Sequence, residues 1–500
     1  MRTVPSLFTA KRIDFRSILI FTSIFVLLLC FYLIKNKLYL FDTDDWVNVS
    51  MNRSFFPNWG GYNPAKVLPE TLLPIVTYVG HYLVYPFTHD LVISSHIVYS
   101  VLLSVLITLN VFCFVKIISK DNFLVKLIAS IFVLSVLATF CYKDGSNTVF
   151  LLSNSSVTTI FHYNITVLAN CLAVFYLLAI GNSFTLQQSK KKTILQAFAL
   201  YYVVFSNLYA NVIIVAYSAS IILQHLYKVF CFKKKTPIVQ ILPYIYIAVL
   251  WIISAFFEKN GGRAKDIETN FSDYFLLSIE NVALAYKTIN SAILFVFCII
   301  TVVAVFKICL YKSENEYIKK VLGIVVTCFI AWAALVVYLC FLGSKTGPGY
   351  ILGTGTRLAL YFYPLLIVCY LLSIQFCLYK KVSTAFIVVC SIVLIYQFSN
   401  SMNSIRNSNC PGLSPNLAYA IIEDMHQQLI HEVQQNKSQV IIKVPKFQHG
   451  TDNNWPLSIY RGHKFAKAFY RFGELNEKYD AKFIVDYSKN IEFGLIDQKK

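Results

Sequence analysis

Apolar runs near twenty residues recur along the first 400 positions, separated by short basic or aromatic stretches. That is the length a helix needs to cross hydrocarbon. The runs lie at about Ser17–Ile34, Leu91–Val115, Phe123–Cys141, Ile165–Ile180, Ile238–Phe257, Leu284–Leu310 and Val321–Leu342, then one ending near Tyr379 and one at Thr384–Phe398. A further stretch, Ile194–Phe230, is bracketed by lysines on both sides: Lys190–Lys192 before it, Lys228 and Lys233–Lys235 after it. If both lysine groups face the same side, this stretch crosses an even number of times. Its roughly 37 residues are too many for one span and few for two, so the pattern predicts two short, tilted helices turning between Ser206 and Asn211. The total is about eleven crossings. After residue 400 the periodicity changes. Leu417–Val433 has helical spacing of apolar positions, and Val440–Val444 and Lys482–Tyr487 read as short strands.

The expected architecture is therefore an all-α polytopic membrane domain over residues 1–400 and a small α/β extracytoplasmic domain over 401–500. Composition agrees, with 57% hydrophobic and only 14% charged residues, against about 25% charged in soluble domains. The formal charge of +19 sits mostly in short loops between spans, where it orients the chain and does not imply a nucleic-acid partner. Part of it can meet anionic lipid. Arg2, Lys11, Arg12 and Arg16 precede the first run, which reads as an uncleaved signal-anchor with its N-terminus in the cytoplasm. Twelve of the thirteen cysteines fall in or beside apolar runs with no metal-ligand spacing, as small packing residues do.

Polar chemistry collects on the assigned outer side. Asp42, Asp44 and Asp45 place three carboxylates within four positions just after the first span, followed by Trp46. Carboxylates are costly inside hydrocarbon, so the cluster belongs in the outer loop, residues 35–90, whose apolar stretch Val67–Phe87 reads as one or two helices lying on the membrane surface. Asp44 or Asp45 is a candidate general base; the plainer reading is a solvated turn after a helix. Glu70, after Pro69, is a second candidate acid or simply a favourable charge at a helix start. Later outer loops bring Arg263, Lys265, Lys345 and Arg357 as candidate phosphate ligands. Arg357 leads, because Gly353 and Gly355 just before it would let backbone N–H groups approach an anion. Lys143–Tyr163 could form a re-entrant segment. His81, His89, His96 and His162 do not have metal-site spacing. Walker, dinucleotide and nucleophile-elbow motifs are missing, so no soluble nucleotide or cofactor is expected.

The Asp44-Asp45-Trp46 run just after the first span, the aromatic outer segment with Leu68-Pro69-Glu70, about ten further spans and an outer C-terminal tail together resemble the GT-C class of polytopic glycosyltransferases. Within it, the chain looks most like the phage-encoded serotype-converting (Gtr-type) O-antigen glucosyltransferases. The resemblance implies a bacterial inner-membrane enzyme with a periplasmic C-terminal domain. It implies an undecaprenyl-phosphate glucose donor and a lipopolysaccharide O-antigen acceptor, with Asp44 or Asp45 as the first-loop acid and Glu70 as a second acidic site. In some relatives a loop acid binds a metal instead. Two other readings compete: an O-antigen polymerase, expected to rely on arginines in large outer loops, and a lipid-glycan flippase, expected to line a path with polar residues.

Overall fold

The computed structural model describes residues 15–50, 66–119, 122–143, 146–147, 156–180, 190–233, 238–259, 271–311, 316–378, 380–401, 413–435, 439–447 and 453–495. Almost all of the membrane part is helical. The helices are α1 Phe15–Cys30, α2 Thr43–Ser50, α3 Val67–Leu83, α4 Tyr85–Thr88, α5 Leu91–Ile118 and α6 Phe123–Thr139. Next come α7 Val157–Thr159, a wide π turn at Ile160–Ile165, α8 Thr166–Ile180, α9 Lys190–Val204, α10 Leu208–Phe232 and α11 Leu242–Lys259. Then follow α12 Phe271–Lys287, α13 Ser291–Tyr311, α14 Glu316–Thr346, α15 Thr354–Leu378 and α16 Lys380–Ser401. Among the described residues, eight helices are long and apolar enough to cross a membrane, and Phe123–Thr139 and Leu242–Glu258 are shorter apolar helices. The chain is a helical, polytopic membrane protein.

Contacts between helix ends define one rim of the bundle. Leu68 donates its N–H to the Phe205 carbonyl, Asn207 Nδ2 donates to the His162 carbonyl, and the Tyr209 and Thr346 hydroxyls share a hydrogen bond. The lysine groups Lys190–Lys192, Lys228, Lys319–Lys320 and Lys380–Lys381 sit at the opposite helix ends. The α9–α10 turn falls at Phe205-Ser206-Asn207, at the near edge of the Ser206–Asn211 range the lysine flanks predict. Only α9, with 15 residues, is short; α10 has 25.

Two expectations change. First, α3 does not lie apart on a surface but packs lengthwise against α5. Its Thr77 hydroxyl meets the Tyr99 hydroxyl, and Gly80 sits where an added Cβ would be 2.9 Å from the Ser94 carbonyl oxygen. Second, the run Leu284–Leu310 is not one helix. It breaks at Asn290, whose backbone N–H donates to the Phe140 carbonyl and whose amide donates to the Tyr142 carbonyl and Gln397 Oε1. The preceding helix α12 packs on α14, helped by Gly343, where a Cβ would lie 2.6 Å from Ser278 Oγ. The apolar core of the expected re-entrant segment, Val149–Leu152, lies outside the described residues.

Gly80→Ala is expected to force α3 and α5 apart and to cost about 1–3 kcal/mol of stability. Gly323→Ala, where a Cβ meets nothing within 4 Å, is expected to be neutral or slightly stabilising. Thermal denaturation of the two variants side by side checks this; equal melting temperatures would contradict it.

Residues 413–495 form α17 Pro415–Gln434, β3 Gln439–Val444, α18 Gly462–Arg471, β4 Asp480–Val485 and α19 Tyr487–Glu492, with β3 and β4 paired in parallel. (β1 Tyr142–Lys143 and β2 Ser146–Asn147 form a small antiparallel pair at the rim.) Alternate burial along β3 and β4 places Val440, Ile442, Val444, Ala481 and Phe483 against the helices. This unit is docked on the rim: Lys37 Nζ donates to Asn416 Oδ1, Tyr419 OH donates to Asp90 Oδ2, and Arg471 Nε donates to Tyr78 OH.

Candidate functional site

The segment after α1 is held taut. The Leu38 N–H donates to His96 Nδ1 at 3.0 Å, and Leu40 and Phe41 are buried. Asp42 holds the position before α2, and its carbonyl accepts the N–H groups of Asp45 and Trp46. The helix turns because Asp45, in its first turn, reaches back: Oδ2 accepts the N–H groups of Phe41 and Asp42, both at 3.1 Å. This is the returning half of a capping box, with Asp in place of Glu. The other oxygen, Oδ1, accepts the Thr158 N–H at 2.7 Å, from the first turn of α7. Asp45 is fully buried, and one carboxylate thus joins the first loop to a membrane helix 113 residues later.

Burial raises the Asp45 pKa to about 6, against the Thr158 hydroxyl and the Thr158 and Phe41 N–H groups that favour its charged form, with the Asp44 charge adding a further upward push. Asp44, one position earlier, is exposed. The two neighbours therefore have different chemistry. Asp45 has both oxygens committed to backbone donors, whereas Asp44 is solvent-exposed. Asp42, the third acid, is buried.

α2 is pinned from above. Thr43 donates its N–H and its hydroxyl to the Pro456 carbonyl and accepts the Ser458 N–H. Trp46 is buried with its ring centroid 4.7 Å from Phe465 and 5.6 Å from Phe469, both on α18, and its Nε1 donates to the Phe41 carbonyl. Aromatic pairs in this range add to area burial. The height and rotation of Asp44 are thus set by the C-terminal unit as well as by the bundle.

Below α2, the π turn at Ile160–Ile165 packs against both α3 and α15. A π turn releases carbonyls from the regular ladder; that of His162 accepts Thr166 Oγ1 and Asn207 Nδ2. Glu70 is buried in the first turn of α3. Arg357 stands in the first turn of α15, where its Nε is buried and makes no hydrogen bond with the described residues. The π turn therefore lies between the acid-bearing segments and the helix that carries Arg357. The Gly353–Gly355 stretch leads into the first turn of α15, with the Arg357 N–H donating to the Gly353 carbonyl and Thr356 Oγ1 to the Tyr350 carbonyl.

Lys345 takes a different direction: it is exposed, with its ammonium 5.2 Å from the Phe271 ring centroid. Arg263 and Lys265 lie outside the described residues. The rim also has a small crevice lined by Lys66, Asn207, Tyr209, Glu258, Thr346 and Tyr350. Lys66 escaped sequence reading because a single lysine before an apolar run resembles any helix flank. A second small crevice, almost wholly apolar, lies between α5, α6, α8 and α15 and includes Leu358 and Tyr361, the residues next to and one turn below Arg357. Among the described residues, no three or more His, Cys, Asp or Glu side chains are grouped to hold a metal ion.

Searches against protein-family models, curated proteins and solved structures find no match to this chain.

Proposed function

We propose that the protein is a glycosyltransferase of the bacterial inner membrane. It moves a sugar, glucose on the family resemblance, from polyprenyl phosphate to a lipopolysaccharide O-antigen or similar surface glycan. The rim faces the periplasm, the N-terminus faces the cytoplasm, and about eleven helices cross. The reading is carried by one observation: an exposed Asp44 is held beside a buried, fully hydrogen-bonded Asp45 on a helix locked to both the bundle and the C-terminal unit. A general base needs that combination of access and fixed position.

In this mechanism the acceptor hydroxyl gives its proton to Asp44 as its oxygen bonds to the anomeric carbon. The bond from that carbon to the phosphate oxygen breaks, and polyprenyl phosphate leaves with the electron pair. Arg357 supports the leaving phosphate, since its buried Nε is a donor awaiting an acceptor. Lys66 lines the polar crevice and supplies a second positive charge. Arg263, Lys265 and Lys345 remain outer-loop cations in the proposal. Glu70, buried at the start of α3, serves as a second acidic group near the acceptor.

The test uses membranes that contain the full chain, supplied with undecaprenyl phosphate carrying labelled glucose and with O-antigen acceptor. Label should move into the glycan. A strain lacking the chain should keep full-length glycan chains that have lost a side branch. Chains shortened to single repeats would show a polymerase instead and reject the proposal.

A further inference from the structure

A second polar feature stands away from Asp44, on the outer face of the C-terminal unit. Lys464, Lys467 and Arg471 recur at spacings of three and four along α18, which puts them on one stripe opposite the buried Phe465 and Phe469. Arg461 at the start of the helix and Lys478 beyond it extend the stripe, and both are exposed. Burial, and then the charges of Lys464, Arg471 and Lys478, hold the Lys467 ammonium below its ordinary pKa. Like charges crowded this way cost stability unless an anion joins them. Of the acids nearby, Asp480 acts on His463, and Glu474 pairs with His426 at 3.0 Å and bonds to Tyr85.

The stripe ends on a membrane-type surface. The Arg471 guanidinium lies 5.1 Å from the Tyr78 ring centroid on α3, and Tyr78 stacks on Tyr82. From there an exposed apolar face continues through Val79, Tyr82 and Leu83 to Phe87, which is 85% exposed. Exposed aliphatic side chains bordered by tyrosines and topped by Lys and Arg form the sequence of layers a protein presents to a bilayer edge. We infer that α18 and the end of α3 together form a binding site for the phosphate headgroups of anionic membrane phospholipids, with the acyl region against Val79, Leu83 and Phe87. This site is independent of the transfer chemistry. Its consequence is mechanical: because α18 also packs on Trp46, lipid bound there would steady the helix that carries Asp44.

The test is differential acylation of lysines in the full chain, reconstituted in phosphatidylcholine vesicles with or without phosphatidylglycerol. Lys464 and Lys467 should be labelled several-fold more slowly when phosphatidylglycerol is present. Lys443, exposed on β3, should be unchanged. K464Q and K467Q should each weaken retention of phosphatidylglycerol in detergent by about fivefold, as expected for one charge near an anionic surface. Equal labelling in the two vesicle types would overturn the inference. Equal protection by inorganic phosphate in pure phosphatidylcholine would overturn it too, by showing a site for soluble anions.

Discussion

Asp44→Asn is expected to lower kcat for sugar transfer by about 10²–10⁴-fold, the usual contribution of a positioned general base, with the protein still inserted and folded. The substitution removes a charge from an exposed position, and exposed charges contribute little to stability. It leaves untouched the contacts that hold α2: the Thr43 bonds to Pro456 and Ser458, the Asp45 bonds to Phe41, Asp42 and Thr158, and the Trp46 stack. The change should therefore appear in turnover and not in melting temperature. It should also remove the acidic limb of the pH–rate profile. The experiment measures initial rates across pH for wild type and variant, together with thermal melting of both. A variant that keeps full turnover, with the wild-type acidic limb, would remove Asp44 from the chemistry.

Some of this arrangement can be read along the chain, and some depends on contacts that no local pattern records. The lysine clusters around Ile194–Phe230 locate the α9–α10 turn because charge at span ends is a local and expensive property. The abrupt loss of apolar periodicity after residue 400 marks the α/β elements for the same reason. The break at Asn290 carries no glycine or proline. It exists because Asn290 finds partners on two other elements, Tyr142 in β1 and Gln397 on α16, and tertiary hydrogen bonds override an apolar run that would otherwise continue. The attachment of α3 to α5 is similarly hidden, since Gly80 signals a close approach but not its partner. In the site, Asp44 and Asp45 look alike in sequence. What separates them is Thr158, a residue more than a hundred positions away. Lys66 becomes visible only through the crevice it shares with Asn207, Glu258 and Thr346.

Asp45→Asn should produce the opposite profile: a loss of stability first, and of turnover only through it. The amide would keep its oxygen for the N–H groups of Phe41 and Asp42 but would turn Nδ2 toward the Thr158 N–H, donor against donor. A buried donor left without its acceptor costs about 1–3 kcal/mol, and α2 would loosen from α7. The pH dependence gives an independent check. The Asp45 pKa is raised from 3.8 to about 6 on folding, so the folded state holds the proton more tightly than the unfolded chain. The stability from this group is therefore complete below about pH 4 and is lost as pH rises through about 6, by up to about 3 kcal/mol. Wild-type melting should fall across that window, and Asp45→Asn, which has nothing to titrate there, should remove this part of the slope. Asp44→Asn should only move the midpoint down, since the Asp44 charge is part of what raises it. Melting curves taken at intervals from pH 4 to pH 7 on the three proteins would decide the matter. If Asp45→Asn melts like wild type at every pH, the Thr158 contact does not hold the rim together, and the division of labour between the two acids fails with it.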